Sequence, residues 1–497
     1  MSTPSVSYSI TVRLDLPAMP TAVSLLTTAV EKAGGVVTAV DVSASAQNRL
    51  QVDLTCATGG QEDAQRVVDA LGEVEGVRIG RVSDRTFLAH LGGKIQIEPK
   101  MQIRHRDDLS MVYTPGVGRV SQQIAGNPDD ASRLTIKRNT VAVVTDGSAI
   151  LGLGNLGPLA ALPVMEGKAA LFKQFGKVDA FPLCLDTSDV DEFVRTVKAV
   201  APVFAGINLE DISAPECFEI EDRLRAELDI PVFHDDQHGT AIVTLGALFN
   251  ALKVVGKELA DVRIVQVGAG AAGSAILKLL LAAGAQNVVV ADVDGLIHKD
   301  RENLHPSLEW IAEETNKEGL RGTLREALEG ADVFIGVSAP NLLSEDDVAS
   351  MAEGAIVFAM ANPVPEIDPV IATRHAAVVA TGRSDFANQI NNVLAFPGVF
   401  RGLIDARSTR ITNEMLIAAA NAVADVVTDD ELNATYIVPS VFHSQLHTVV
   451  AKAVQEVAER DAKELAAEAE EAERAEEAQV RSGDLATVFK RSPRTTR

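Results

Sequence analysis

The chain has 497 residues, which is too long for a single hydrophobic core and predicts two to four domains. Its hydrophobic fraction of 46% is ample for folded domains, and the low aromatic content of 4% suits α/β packing of small side chains. A formal net charge of -24 argues against a nucleic-acid-binding protein, because phosphates would be repelled over most of the surface. The three cysteines form no CxxC pair, so neither a disulfide framework nor a zinc ribbon is indicated.

The sequence also argues against export and against a membrane span. The N-terminus has no basic region and no long apolar run, so we see no secretory signal. The longest charge-free stretch, residues 147–165, contains four Gly and two Pro and would make a poor transmembrane helix. We therefore expect a cytoplasmic protein without membrane contact.

Residues 8–85 show strand and helix patterns in the order βαββαβ, which is that of a ferredoxin-like unit. The first helix pattern ends at Gly34-Gly35, a natural stop. This order resembles the ACT domain, a regulatory module that often binds small ligands where two copies meet. The resemblance implies that residues 1–88 form an ACT-like module that binds a small-molecule effector. The alternative is an oligomerisation or spacer module without a ligand.

Two side chains in the middle of the chain are candidates for proton transfer. Tyr113 precedes the turn residues Pro115 and Gly116, which could place its phenol at the edge of a loop. Lys168 is predicted to open an apolar helix, and its pKa would fall if it were desolvated in a cleft, so that it could act as a general base. The common alternatives are packing for the tyrosine and a surface position for the lysine.

Two acidic pairs each follow a strand-like run: Glu210-Asp211 after 202–209, and Asp235-Asp236 after 230–233. Carboxylates at the carboxyl ends of parallel strands converge on the crevice where open α/β sheets bind ligands. Because oxygen ligands suit Mg²⁺ or Mn²⁺, the pairs indicate a divalent metal site. The alternative is that they are solvated strand ends.

The strongest motif is a dinucleotide-binding fingerprint. A buried strand pattern runs into Gly268, Gly270 and Gly273, with Ala271 and Ala272 inside the loop, and an apolar helix pattern follows. The glycines make the tight turn, admit the pyrophosphate and let helix and strand touch. Asp292 ends the next strand pattern, nineteen residues after Gly273. It would bond the adenosine ribose and repel a 2′-phosphate, which favours NAD over NADP.

A second match to the same pattern, at Gly152, Gly154 and Gly157, lacks the strand and helix context and is interpreted as a close approach of backbone to a ligand. The alternation of strands and helices continues after Asp292, and Asn362 lies at the predicted cofactor crevice. From about residue 456 the chain reads as a charged helix followed by a disordered polar tail.

A set of short motifs in a shared order resembles the malic enzyme family, in its compact bacterial type. The motifs cover about residues 90 to 450 and are Tyr113-Thr-Pro-Gly-Val, Asp146-Gly with Leu151-Gly-Leu-Gly, Glu166-Gly-Lys, Leu209-Glu-Asp, His234-Asp-Asp-Gln-His-Gly-Thr, Phe358-Ala-Met-Ala-Asn-Pro and Asn391-Asn-Val-Leu-Ala-Phe-Pro-Gly. The resemblance implies an α/β fold, with a malate- and metal-binding domain over 89–238 and a Rossmann-type, doubly wound NAD domain over 239–455.

The resemblance also implies roles for individual residues. Lys168 would be the general base and Tyr113 the general acid, with Asp235 supporting Lys168. The remaining roles are those of binding: a divalent metal, Mn²⁺ or Mg²⁺, would be held by Glu210, Asp211 and Asp236, and substrate or nicotinamide would be contacted by Asn362 and Asn392. One departure is Ala149, which stands where larger members carry a malate-binding arginine.

The implied reaction is the oxidative decarboxylation of L-malate to pyruvate and CO₂ with reduction of NAD, by a homodimer or a higher homo-oligomer. Three alternatives stay open. The first is a malolactic enzyme, which converts malate to lactate and retains NAD. The second is a dehydrogenase without decarboxylation or metal, and the third is a non-catalytic sensor of NAD or a metabolite.

Overall fold

The computed structural model describes residues 4–46, 48–302 and 304–481. The chain divides into two compact units, Met1–Glu98 and Pro99–Arg497. The polar tail that the sequence predicts to be disordered lies beyond Arg481, outside the described residues.

The first unit is an antiparallel sheet packed against helices. Its elements are β1 (Ser5–Pro17), α1 (Ala22–Lys32), β2 (Val36–Ala46), β3 (Arg49–Thr58), α2 (Gln61–Gly72), β4 (Arg78–Asp84) and α3 (Arg85–His90). The strands lie in the order β2-β3-β1-β4 and all pairs are antiparallel. Alternate side chains of β1 and β3, such as Leu14 and Leu54, are buried with Leu26 of α1 and Leu71 of α2. The elements thus follow the predicted order, and an additional helix, α3, comes directly after the last strand.

The second unit begins with short helices and a four-stranded parallel sheet. Its first elements are α4 (Arg106–Val112), α5 (Gly116–Gly126), α6 (Ala131–Leu134), β5 (Thr140–Thr145), α7 (Pro158–Gly176), β6 (Asp179–Cys184), α8 (Val190–Val200), β7 (Gly206–Leu209), α9 (Glu216–Glu227) and β8 (Val232–His234). The strand order is β6-β5-β7-β8, with every pair parallel. All six residues of β5 are buried, as expected of a central strand covered on both faces.

A second, six-stranded sheet follows. The remaining elements are α10 (Thr240–Val255), β9 (Arg263–Val267), α11 (Ala271–Ala282), β10 (Asn287–Asp292), β11 (Gly295–Leu296), α12 (Pro306–Glu314), α13 (Leu324–Leu328), β12 (Val333–Gly336), α14 (Glu345–Ala349), β13 (Ile356–Ala359), α15 (Pro369–Ala372), β14 (Val378–Thr381), α16 (Phe396–Ala406), α17 (Asn413–Asp425) and α18 (Leu446–Arg481). The order is β11-β10-β9-β12-β13-β14, parallel except for β11. Neighbouring residues of β9 point into two different cores, Ile264 into one and Val265 into the other. The predicted doubly wound, Rossmann-type arrangement is confirmed, with its switch point between β9 and β12.

Some local expectations need correction. Lys168 lies in the middle of α7 and does not open it, because the helix already begins at Pro158 and accommodates Pro163. The strand expected over 202–209 covers only Gly206–Leu209, since a short 3₁₀ turn occupies Ala201–Val203. The helix after the second acidic pair begins at Thr240, and a π-helical turn, Asp235–Gly239, precedes it.

Among the described residues, one helical stretch, Asp235–Val255, is long and apolar enough to cross a membrane by length and composition. Of its most apolar window, 67% is buried inside the protein. Side chains of α10 such as Val243, Leu245 and Leu248 belong to the main hydrophobic core. This is the setting of a core helix.

The packing of α16 on α18 generates a prediction about stability. A Cβ on Gly402 of α16 would press on the carbonyl oxygen of Ala451 and lie 2.9 Å from the Cβ of Val454. We expect Gly402→Ala to destabilise the protein by about 1–3 kcal/mol, because the backbone of α18 leaves no space for a methyl group. The measurement is the shift of the thermal melting midpoint.

The control is Gly118→Ala on α5, because Gly118 is exposed and an added Cβ there meets no atom within 4 Å. This variant should melt at or slightly above the wild-type temperature, since Ala favours a helix over Gly. Equal melting of the two variants would mean that α16 and α18 are not packed this closely.

Candidate active site

The acidic pairs lie side by side because their strands are neighbours. Leu209 of β7 pairs with His234 of β8 in a parallel register. The residues that follow, Glu210 and Asp235, therefore leave the sheet at the same edge. Both carboxylate side chains are buried. The predicted convergence of the two pairs is thus present in the fold.

Lys168 reaches into this edge from α7. Its Nζ lies 2.5 Å from Oδ2 of Asp235 and 2.9 Å from Oε1 of Glu210. The same Nζ is 4.3 Å from the centre of the Phe396 ring, and Phe396 packs edge-on against Phe172, with ring centres 4.7 Å apart. A buried aromatic group thus lies beside the ammonium and restricts where it can move.

The protonation of Lys168 differs from the sequence-based expectation. Burial by itself lowers the pKa of its ammonium, but the charges of Asp235 and Glu210 raise that pKa by more. The net pKa lies above its ordinary value, so the expected fall is wrong for this arrangement. The reason is that the two carboxylates stabilise the charged form more than burial penalises it.

In the neighbouring acids, burial and mutual repulsion disfavour the charged form and raise the pKa of the carboxyl groups. Burial, followed by repulsion from Asp236, raises the pKa of Asp211 to about 7. Burial, followed by the charge of Asp235, raises the pKa of Asp236 to about 6. The pKa of Glu210 is raised by burial despite its contact with Lys168. One ammonium is therefore too little positive charge for four neighbouring acids.

The predicted metal ligands are adjacent but do not form a finished coordination sphere. In the described part of the chain, no three Asp, Glu, His or Cys side chains are arranged as a metal cluster. Oδ2 of Asp236 accepts a hydrogen bond of 2.8 Å from the backbone N–H of Asp211, and Oε1 of Glu210 contacts Lys168. Oδ2 of Asp211 is buried without a hydrogen-bond partner among these residues. Raised carboxyl pKa values and an unpartnered buried oxygen fit a divalent cation with oxygen ligands.

Several supporting residues were missed by the sequence reasoning. Asn208 of β7 donates to Oε2 of Glu210 at 2.9 Å, and Glu221 of α9 contacts both Gln237 (2.9 Å) and His238 (2.6 Å) of the π-helical turn. His234 is fully buried, and burial lowers its pKa to about 4, so its ring is neutral. Glu221 and Asn208 resemble many other polar residues in the sequence, and only their position identifies them.

Gly239 ends the π-helical turn next to the buried carboxylate. A Cβ at this position would overlap Oδ1 of Asp235 and lie 3.3 Å from the Cβ of Asn392. The absence of a side chain at Gly239 therefore leaves room for Asp235 to face Lys168.

Asn392 joins the cluster. Its amide nitrogen lies 3.1 Å from Oδ2 of Asp235, and its amide oxygen accepts a hydrogen bond of 3.2 Å from the Thr240 hydroxyl.

Tyr113 ends α4 and is 68% exposed, and Asn362 is exposed in the loop after β13. Neither of these two forms a hydrogen bond or an ion pair with the Lys168 cluster within the described residues. The structure thus unites Lys168, Asp235 and the acids with Asn392.

The second glycine motif borders the acid cluster and not a Rossmann helix. The backbone N–H of Leu151 donates to Oδ1 of Asp211 at 3.2 Å, and a Cβ on Gly152 would lie 3.5 Å from the carbonyl oxygen of Asn362. The loop of Gly152 therefore borders the acid cluster, and the close approach of its backbone to a ligand stays a prediction.

The dinucleotide motif forms an open loop at the carboxyl end of β9. Gly268 has a φ of +102°, and a Cβ there would lie 2.7 Å from the carbonyl oxygen of Val337. A Cβ on Gly273 would overlap the carbonyl oxygen of Gly268, whereas a Cβ on Gly270 would meet no atom within 4 Å. The loop borders a cavity of about 810 Å³ that Asp292 also lines. A loop in which one glycine faces open space is the cradle that a dinucleotide pyrophosphate requires.

Asp292 does not stand alone at the end of β10. Nη1 of Arg301 lies 2.9 Å from Oδ1 of Asp292, and Nη2 of Arg301 lies 3.1 Å from Oδ2 of Asp294. Arg301 is thus a cation directly beside the aspartate that was predicted to bind the ribose.

Two family models match the chain: the malic enzyme N-terminal domain over residues 92–225, and the malic enzyme NAD binding domain over residues 237–460. The chain belongs to the malic enzyme family. The prediction of a malic enzyme with an NAD-binding domain is confirmed.

Similar proteins cover most of this malic enzyme. The NAD-dependent malic enzyme of Geobacillus stearothermophilus is 55% identical over 454 residues, which are 91% of this chain and 95% of the relative. The bifunctional malic/malolactic enzyme of Bacillus subtilis (strain 168) is 52% identical over 368 residues, 74% of this chain and 90% of the relative. The crystal structure of an NAD-dependent malic enzyme from Thermotoga maritima has a TM-score of 0.72 and 47% identity, covering 75% of this chain and 99% of that one.

The buried ion pairs of Lys168 generate a prediction about stability. We expect Lys168→Met to cost about 3–5 kcal/mol near pH 8, because it leaves the Asp235 and Glu210 carboxylates buried without their cation. The loss should shrink near pH 5, since Glu210, whose pKa is already raised, can then take up a proton and become neutral. Chemical denaturation at the two pH values measures both effects.

The matched control is Lys173→Met, on the same helix. Lys173 pairs with Asp179 at 2.5 Å, but its side chain is 64% exposed, so its loss should cost no more than about 1 kcal/mol at either pH. A Lys168→Met variant as stable as this control at pH 8 would contradict the buried ion pairs.

Proposed function

We propose that this protein catalyses the oxidative decarboxylation of L-malate to pyruvate and CO₂, with NAD as hydride acceptor and with a divalent metal. The observation that carries the proposal is the burial of Lys168 between Asp235 and Glu210, at the strand edge that also holds the other two acids. A buried amine and four oxygen-rich side chains that suit a cation lie together there, and the NAD-binding domain follows in the same compact unit. Such a combination is what oxidation followed by decarboxylation needs.

Lys168 is the proposed general base for the 2-hydroxyl of malate, and Tyr113 is the proposed general acid for carbon 3 of the enol. Asp235 fixes the direction of the Lys168 ammonium, and Asn392 in turn holds Asp235. Glu210 serves two partners in this scheme. If Glu210 shared its charge with a bound metal, its hold on the Lys168 proton would weaken, and Lys168 would be closer to the proton-accepting state.

The proposed metal ligands are Glu210, Asp211 and Asp236, and Mn²⁺ and Mg²⁺ both suit their oxygens. A metal bound there would act as a Lewis acid on the substrate oxygen, and NAD would accept the hydride. Asn208 would orient Glu210, and the Asp211 backbone N–H would orient Asp236.

NAD is proposed to lie across the loop of Gly268, Gly270, Ala271, Ala272 and Gly273. Asp292 would accept hydrogen bonds from the adenosine ribose. Asn362 is proposed to contact substrate or nicotinamide, because it follows β13 at the carboxyl edge of the same sheet.

The first unit is proposed to be an ACT-like, ferredoxin-like module that binds a small-molecule effector. Its element order and antiparallel sheet support this proposal. β2 is an edge strand and exposes Val36, Val40 and Val42, which suits the pairing of two copies. We assign residues 1–88 to this module. The proposed malate and metal domain then covers 89–238, the NAD domain 239–455 and the charged C-terminal segment 456–497.

A homodimer or a higher homo-oligomer is also proposed. Apolar side chains of α4 and α5, among them Leu109, Met111 and Val120, are exposed on the second unit. Apolar patches of this kind often mark protein–protein contacts.

The three cysteines are unpaired, which supports a cytoplasmic location.

The proposed activity is tested by incubating the protein with L-malate, Mn²⁺ and NAD, and measuring NADH and pyruvate. We expect equal amounts of the two products and loss of both on addition of a chelator. Lys168→Ala should abolish turnover. Turnover without metal would favour a simple dehydrogenase, and the absence of turnover with either NAD or NADP would favour a sensor.

A second candidate, the malolactic reaction, is favoured by the similarity to the bifunctional enzyme of Bacillus subtilis. The same incubation distinguishes it, because lactate would form without net NADH.

The raised carboxyl pKa values predict how Mn²⁺ binding depends on pH. Asp211, with a pKa of about 7, and Asp236, with a pKa of about 6, must lose protons before they bind a cation. Apparent affinity should therefore rise between pH 5 and pH 8, by up to about tenfold per pH unit for each proton released. Titration calorimetry at several pH values measures this rise.

The same groups set the stability of the metal-free protein. A carboxyl whose pKa is higher in the folded chain than its unfolded value near 4 binds protons more tightly when folded, so the free energy of unfolding falls as pH rises toward 7. Added Mn²⁺ should raise the melting temperature more at pH 8 than at pH 5.5. Asp236→Asn should remove most of this shift, and a shift that is independent of pH would contradict the ligand assignment.

A further inference from the structure

We propose that Arg301 is a specificity-determining residue that is held away from a 2′-phosphate by Asp292 and Asp294, so that loss of Asp292 alone would make an NADP site. This inference rests on the proposed binding of a nicotinamide dinucleotide in the crevice of β9 and β10. It concerns how the crevice distinguishes the two forms of that cofactor.

The three charged side chains form a compact group, which we call the Asp292–Arg301–Asp294 clamp. Arg301 is only 14% exposed and Asp292 15%, whereas Asp294 is 76% exposed. Oδ1 of Asp292 also accepts a hydrogen bond of 2.9 Å from the backbone N–H of Asp294. Arg301 is therefore neither a freely moving surface side chain nor an ordinary exposed ion pair.

Both aspartates of the clamp lie at the cavity of the dinucleotide loop. Asp292, Val293, Asp294 and Gly295 all line the cavity of about 810 Å³, together with Gly268 and Gly270. A ribose that follows a pyrophosphate on the Gly268 loop reaches the end of the neighbouring strand, which is Asp292. Its 2′-substituent thus meets the clamp.

The charges of the clamp explain a preference for NAD. The two aspartates outnumber the one arginine, so the group has a net negative charge and repels a phosphate. The contacts of Asp292 with Nη1 of Arg301 and with the backbone N–H of Asp294 are both made by Oδ1, which leaves Oδ2 for a ribose hydroxyl. Nη1 of Arg301 makes no hydrogen bond within the described residues, although it lies 2.9 Å from Asp292. The guanidinium therefore has donor capacity that the clamp does not use.

Removing Asp292 changes the balance in two ways. The net charge of the group becomes zero, and Nη1 of Arg301 loses the carboxylate that lies 2.9 Å from it. A guanidinium with free donors binds a phosphate with two parallel hydrogen bonds, which an ammonium cannot do. The structure thus assigns to one arginine a supporting role with NAD and a direct role with a 2′-phosphate.

The test is a double-mutant cycle on binding, with the full chain and without malate or metal. Calorimetry measures the affinities of NAD and NADP for wild type, Asp292→Ala, Arg301→Met and the double variant. We expect Asp292→Ala to weaken the binding of NAD and to increase the affinity for NADP by at least about tenfold. In the double variant that gain of NADP affinity should be lost. Arg301→Met by itself should not strengthen NADP.

The matched control is Arg321→Met in the Asp292→Ala background. Arg321 adjoins the cavity residue Gly322 and pairs with Asp300, but its side chain is 63% exposed. The Arg321→Met substitution should leave the gain of NADP affinity intact. Arg301→Lys, which keeps the charge without the planar fork, should retain part of the gain and shows that loss in the methionine variant is not a loss of folding.

The possible outcomes separate this inference from the proposed function. If neither NAD nor NADP binds wild type or any variant, the proposed cofactor is wrong and the inference falls with it. If NAD binds wild type but Asp292→Ala gains no NADP affinity, the inference is overturned and the function stands. A gain that survives Arg301→Met or disappears with Arg321→Met also overturns it, because another cation would then hold the phosphate.

Discussion

The contact of Lys168 with Asp235 and Glu210 is the interaction on which the rest of the site depends. Burial of these charges is costly unless each has a partner at short distance, and breaking one contact leaves another charge exposed to the apolar interior. Asn392, Asn208 and the close backbone at Gly239 all serve to keep the carboxylates in place. A single ammonium nevertheless cannot neutralise four acids. That imbalance raises the carboxyl pKa values and makes the site suitable for a second, divalent charge.

One continuous segment links this chemistry to the cofactor domain. β8 ends at His234, the π-helical turn carries Asp235 and Asp236, and α10 then enters the main hydrophobic core. The turn is wider than an α-helical turn, and it presents its acids to β7 while its polar neighbours contact Glu221 of α9. The core helix thus anchors the acids from one side and the sheet anchors them from the other. Rigid support of this kind is what a metal and a proton acceptor both need.

In both sheets of the second unit, one cationic side chain pairs with two carboxylates. At the four-stranded parallel sheet Lys168 joins two carboxylates, and at the six-stranded sheet Arg301 joins Asp292 and Asp294. In both places a net negative group lies at the carboxyl end of parallel strands, where ligands of open α/β sheets bind. The difference lies in burial, because the Lys168 cluster is almost completely buried whereas Asp294 is open to solvent.

The sequence by itself determined the parts of this malic enzyme that depend on neighbours along the chain. The glycine loop with its following helix, the acids at the ends of strands and the βαββαβ element order all follow from local spacing and periodicity, and the structure has each of them. Only the tertiary structure decided the pairings of Lys168 with Asp235, of Asn392 with Asp235 and of Arg301 with Asp292. The first two join residues 67 and 157 positions apart. The direction of the Lys168 pKa was likewise decided by folding, because it depends on the distance to carboxylates that no local pattern can give.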